Sequence, residues 1–139
     1  MEILESLIDY GILAILGAMG FIAVWFFIER LIFLRKVRTE DYKNKEILEI
    51  DISTRLSTIA TIASNAPYIG LLGTVLGIML TFYNLGQGDN IDPKEIMSGL
   101  ALALKATALG LIVAIPAITF YNTLVRKCEV ILSQFDEQS

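Results

Sequence analysis

Apart from Lys105, the charged residues lie outside three long apolar runs. No charge occurs from Tyr10 to Ile28, a run long enough for a helix to cross about 30 Å of hydrocarbon. A second uncharged stretch, Leu56 to Gly88, exceeds one ordinary span. Its first half is rich in Ser and Thr (LSTIATIASNA), whereas the part from about Pro67 to Leu85 is apolar and fits the bilayer. A third stretch, Ile96 to Val125, is interrupted only by Lys105. The pattern predicts an all-α membrane protein with three transmembrane helices extended into the cytoplasm.

The predicted organisation follows from these runs. Residues 1–38 form the first transmembrane helix and its cytoplasmic extension, with the span at about 10–28. Residues 39–65 are a cytoplasmic link and helix, and 66–86 the second transmembrane helix. Residues 87–95 are an outer loop, 96–125 the third transmembrane helix and 126–139 a cytoplasmic tail. Asp92 and Pro93 read as an N-cap followed by proline in the first helical turn. Pro67 is expected to start or kink the buried part of its helix. Asp51 or Ser53 is expected to cap a helix running towards the second span. The link between the first two spans is too short for an independent core.

Basic residues orient the chain. Arg30, Arg35, Lys36, Arg38, Lys43, Lys45 and Arg55 lie between the first two spans, and Arg126 and Lys127 follow the third. The loop GQGDNIDP contains none. The positive-inside rule therefore places the link and C-terminus in the cytoplasm, and the N-terminus outside. Glu2, Glu5 and Asp9 precede the first span where a signal peptide would carry basic residues, so that span is expected to remain as an anchor.

Composition narrows the function. Apolar residues make up 55% of the 139, and mean hydropathy is +0.63, as expected for a chain in contact with membrane lipid. The net charge of −4 leaves no basic footprint for nucleic acid. Without histidine and with one cysteine, no metal site or cofactor is expected, and Cys128 reads as a reduced structural thiol. No nucleophile–base pair or phosphate-binding loop appears, so an enzyme is not expected.

Small and hydroxyl residues interrupt the greasy runs. Helices in lipid gain little by burying apolar surface and associate through close packing, which small residues permit. Gly70, Gly73 and Gly77 in IGLLGTVLGIMLTF make one such stripe. Gly99, Ala103, Ala106 and Gly110 make another. Either could pack within one protomer; two stripes in need of partners favour a homo-oligomer. Thr74 and Thr107 sit inside these faces, in GLLGTVLG and LKATALGL. In a ring of protomers their hydroxyls, which both donate and accept, would line an ion route. Thr54, Thr58, Thr61 and Asn65 are expected to share one helical face, either a pore mouth or a solvated surface. No Asp or Glu lies within a span, so a proton carrier must come from a partner. Lys105 points about 160° away from Thr107 and is expected to snorkel outward or pair with a neighbour's acid.

The blocks APYIGLLGTVLGIMLTF and ALKATALGLIVAIPAITFYN, at this spacing and with three spans, resemble the ExbB/TolQ/MotA family of ion-driven motor proteins, most closely its short ExbB-type members. The resemblance implies a pentamer in the bacterial inner membrane. It also implies an enclosed ExbD-like single-span partner whose aspartate carries the proton, and a TonB-like protein that is energised for outer-membrane uptake. On the family's motif its pathway threonines fall at Thr74 and Thr107. Its AIP proline falls at Pro116, grouped here with the packing residues, and its YN pair at Tyr121 and Asn122. Other members carry a glutamate at the position of Leu102, and longer ones a larger cytoplasmic part. In this scheme the partner's ionised aspartate rests near the threonines and, when neutral, passes an apolar wall of Leu71, Ile78 and Ala114. A TolQ-like or MotA-like subunit with another client, or a scaffold without ion flow, are the alternatives.

Overall fold

A computed structural model describes residues 2–88 and 92–138; of the loop expected at 87–95, residues 89–91 lie outside the described residues. Among the described residues four helices follow in order, α1 (Glu2–Lys36), α2 (Lys45–Ser53), α3 (Leu56–Gln87) and α4 (Pro93–Gln138), with one 3-10 turn at Thr39–Asp41. There is no strand among the described residues. α1, α3 and α4 are long and apolar enough to cross a membrane. At 1.5 Å per residue they reach about 53, 48 and 69 Å, so each extends beyond the hydrocarbon.

The start of α4 is held as its sequence suggests. The Asp92 carboxylate accepts from the Lys94 N–H at 3.0 Å, and the Asp92 carbonyl accepts from Glu95 and Ile96. The start of α3 is different. Asp51 and Ser53 lie inside α2, which is capped instead by Asn44, its side chain accepting from the Glu46 N–H. The break before α3 falls at Arg55, in the left-handed region at φ 71°. A non-glycine residue there costs about 1 kcal/mol or more and is held by its surroundings. The Arg55 guanidinium lies 3.4 Å from the Glu29 carboxylate and 4.7 Å from the centre of the Phe26 ring. Pro67 lies inside α3, which begins eleven residues earlier and runs through it; the Ser/Thr-rich segment is helical too.

α3 and α4 form an antiparallel pair, and α1 leans against both. The core changes character along this bundle. Its large buried side chains, Leu48, Ile52, Ile59 and Leu124, gather at the end that carries α2. At the level of the long apolar spans the core is built of Ala23, Ala66, Ala114 and Ala117 with Ile12, Leu16 and Ile62. The two chemistries match their solvents. Water rewards burial of large aliphatic groups, whereas lipid rewards close backbone approach.

A polar joint ties α1 to α2. Arg30 is 5% exposed; it donates to both oxygens of Glu29 at 2.7 and 2.8 Å and to the Asp51 carbonyl at 2.8 Å. Tyr42 donates to the Asp51 carboxylate at 2.8 Å, and that bond, with burial, raises its phenol pKa. Cys128 is free and buried, with its thiol 3.4 Å from the Ile52 carbonyl. The far end of α4 is fastened by Lys45 to Asp136 at 3.0 Å and Gln138 to Thr39 at 2.5 Å. Arg30→Met should lower stability in detergent by about 2 kcal/mol, since the half-buried Glu29 carboxylate and the Asp51 carbonyl lose their donor. Circular dichroism melts against Arg30→Lys, which keeps the charge but not the planar fork, will check this.

Candidate functional site

The site lies where the two small-residue stripes meet. A Cβ added at Gly70 would stand 2.5 Å from the Ala106 carbonyl oxygen and 3.1 Å from the Cα of Gly110. One added at Gly110 would stand 2.6 Å from the Ala66 carbonyl oxygen. Gly73 and Gly77 face the methyls of Ala106 and Ala103, and Gly99 faces Thr81. The stripes therefore pack on each other within one chain rather than on a neighbouring copy. Close packing alone makes no demand for a second protomer here. Pro116, grouped with the packing residues from its motif, is exposed on α4 between buried Ala114 and Ala117.

In this seam the backbones approach so closely that two threonines meet. Thr74 on α3 is buried, and Thr107 on α4 is half-buried. Their hydroxyl oxygens are 2.5 Å apart. The Thr74 oxygen also lies 2.8 Å from the Ala103 carbonyl and 3.3 Å from that of Gly70. A carbonyl only accepts, and Thr74 has one proton to give. The shorter bond assigns it to Ala103, so Thr107 donates to Thr74. Thr107 keeps both lone pairs of its oxygen, and its half-buried hydroxyl can turn towards an acceptor outside the seam. From Pro67 to Thr74 is about 10 Å of helix, which puts the pair well inside the span expected for α3.

Other expected site residues are dispersed. Thr58, Thr61 and Asn65 are exposed along α3, and the Thr61 hydroxyl donates to the Ser57 carbonyl at 2.8 Å. Thr54 does not share their helix. It ends α2, donates to the Ile50 carbonyl at 2.9 Å and is separated from α3 by the turn at Arg55. Of the expected apolar wall, Leu71 is exposed and Ile78 half-buried, but Ala114 is buried against Ile12, Leu16 and Ala66. It faces α1, because α1 occupies that side of the α3–α4 pair. The Ala103 carbonyl is the site group that sequence reading missed; its position one turn before Thr107 was the available sign. A further polar contact, Asn84 donating to the Glu5 carboxylate at 2.6 Å, joins α3 to α1 near the opposite end from α2.

Three long apolar helices, packed through glycine and alanine around paired hydroxyls, define a multi-pass helical membrane subunit. Residues 24–137 match the profile of the MotA/TolQ/ExbB proton channel family, and the chain belongs to that family. It is 58% identical over 127 residues to the biopolymer transport protein ExbB of Aquifex aeolicus, covering 91% of this chain and 86% of that protein. It is 53% identical over 133 residues to the putative biopolymer transport protein ExbB-like 2 of Helicobacter pylori, covering 96% and 89% respectively. The Tol-Pal system protein TolQ of Haemophilus influenzae is 46% identical over 81 residues, 58% of this chain and 35% of that protein. An energy-transducing membrane subunit is the function these relatives share with the fold.

Proposed function

We propose that copies of this chain form a ring, five by analogy with the family, in the bacterial inner membrane. The ring encloses the transmembrane helices of an ExbD-like partner whose aspartate carries protons, and the complex energises a TonB-like protein for outer-membrane uptake. The spans are 10–28, 66–86 and 96–125, with the N-terminus in the periplasm and α2 and the C-terminus in the cytoplasm. The chain performs no covalent chemistry and holds no cofactor; its cargo is the proton. Thr58, Thr61 and Asn65 line the cytoplasmic mouth.

The observation that carries this reading is a hydroxyl pair held between spans that contain no carboxylate. An ionised aspartate from the partner receives the Thr107 proton in a hydrogen bond, while Thr74 keeps its bond to Ala103. A neutral aspartic acid instead donates to a lone pair of Thr107. The pair thus serves both charge states, and the partner supplies the titrating group. Each proton crossing brings about 2.3 kcal/mol per 100 mV of membrane potential. Family likeness to the ExbB proteins favours uptake over the Tol-type client, since those matches run along most of both chains.

Co-expression with the single-span partner tests the reading. The purified complex should show a native mass containing several copies of this chain, and a strain lacking the chain should lose proton-driven, TonB-dependent uptake. A monomer that never binds the partner, or uptake that survives deletion of the chain and its paralogues, would sink it.

A further inference from the structure

Lys105 is the one charge inside the third apolar run, and the structure shows where its ammonium can go. It lines a cavity of about 50 Å³ between α1 and the α3–α4 seam, together with Asp9, Leu13, Gly73, Ala106 and Leu109. A second cavity, of about 80 Å³, adjoins at Asp9 and runs past it to Glu5 and Thr81. Among the described residues, neither the Asp9 nor the Lys105 side chain makes a hydrogen bond or ion pair. Glu5 is engaged by Asn84, and α3 contributes no titratable group to either cavity.

Three physical facts point the same way. A helical Cα–Cβ bond leans towards the helix N-terminus. The N-terminal part of α4 lies at the same end as Asp9, since Gly99 packs on Thr81 and Glu5 bonds Asn84. A lysine in lipid extends its flexible stem towards the nearer interface rather than leave its ammonium in hydrocarbon. Along that route the first unengaged carboxylate is Asp9.

We propose that Asp9 is the counter-ion of Lys105, and that this ion pair within one chain holds α1 against the back of the threonine seam. Gly73 makes the link: its Cβ position is 3.3 Å from Ile12 on α1 and 2.7 Å from Ala106, the neighbour of Thr107. The pair also cancels a positive charge that would otherwise oppose a proton approaching the hydroxyls. Both residues are positioning residues, acting through α1 and through the local field.

A carbodiimide that enters membranes tests the pairing itself. It joins a carboxylate to an adjacent amine as an amide, and the elements of water lost pass to the carbodiimide, which becomes a urea. Mass spectrometry of the digested complex should find Asp9 joined to Lys105, with Lys45 joined to Asp136 as the internal positive control. If the control link forms while Lys105 stays unlinked or joins another carboxyl, the pairing is refuted. The effect on transport rests on the proposed function and is read separately. Asp9→Asn should lower proton-driven uptake at least tenfold. Adding Lys105→Met should bring activity back to within about twofold of Lys105→Met alone. Losses that simply multiply would refute the field effect, whatever the cross-link shows.

Discussion

Gly70→Ala should destabilise the protein in detergent by about 3 kcal/mol, at the upper end of what overpacking costs. The added Cβ meets backbone: the Ala106 carbonyl oxygen at 2.5 Å and the Cα atoms of Gly110 and Thr107 at 3.1 and 3.2 Å. A side chain could rotate away; a helix backbone must translate as a whole. Gly110→Ala strikes the same contact from the other side, with the Ala66 carbonyl oxygen at 2.6 Å. The double variant should therefore cost less than the sum of the singles, because the first substitution already parts the helices. Gly17→Ala is the comparison, since nothing lies within 4 Å of its Cβ position; it should change stability by no more than about 0.5 kcal/mol. Chemical unfolding followed by circular dichroism measures all four proteins. Equal midpoints for Gly70→Ala and Gly17→Ala would mean that the α3–α4 seam is not closely packed.

The three long helices were legible because lipid permits few alternatives: an uncharged run of such length must satisfy its own backbone bonds. The cap at Asp92 was legible for a local reason, a short acceptor beside a proline. Periodicity placed Gly70, Gly73 and Gly77 on one face, but a face does not name what covers it. Only the fold shows that Gly110, Ala103 and Ala106 of the same chain do so. The break at Arg55 carried no glycine or proline to announce it. It depends on Glu29 and Phe26, which belong to another helix, so the face drawn through Thr54, Thr58, Thr61 and Asn65 was one residue too long at its start. Ala114 was placed on the wrong wall for a similar reason: small residues suit either a bore or a helix contact, and α1 settles which. The threonines were legible as hydroxyls among small residues. Their contact was not, since it depends on the register of α3 against α4.

Removing that contact has the largest functional consequence. Thr107→Val keeps the branched shape and deletes the hydroxyl free to turn outward. Proton-driven uptake should fall about tenfold to a hundredfold, the equivalent of one hydrogen bond to a charged group at roughly 1.5–3 kcal/mol. Thr74→Val should act less directly. It removes the acceptor that fixes Thr107 and the donor to Ala103, so Thr107 can fall back on the Ala103 carbonyl, one turn before it, and lose its outward orientation. A smaller loss, of several-fold, is expected for it. Thr107→Ser should restore most of the activity, because the proton and both lone pairs return. Native mass must be unchanged in every variant, which separates a failed ion step from a failed assembly. Each alternative has its own signature: a scaffold without ion flow would tolerate both valines, and a packing role alone would be rescued by valine as well as by serine. The ordering of Thr107 below Thr74 in activity, with serine rescue at 107, is the pattern that only a working hydroxyl relay produces.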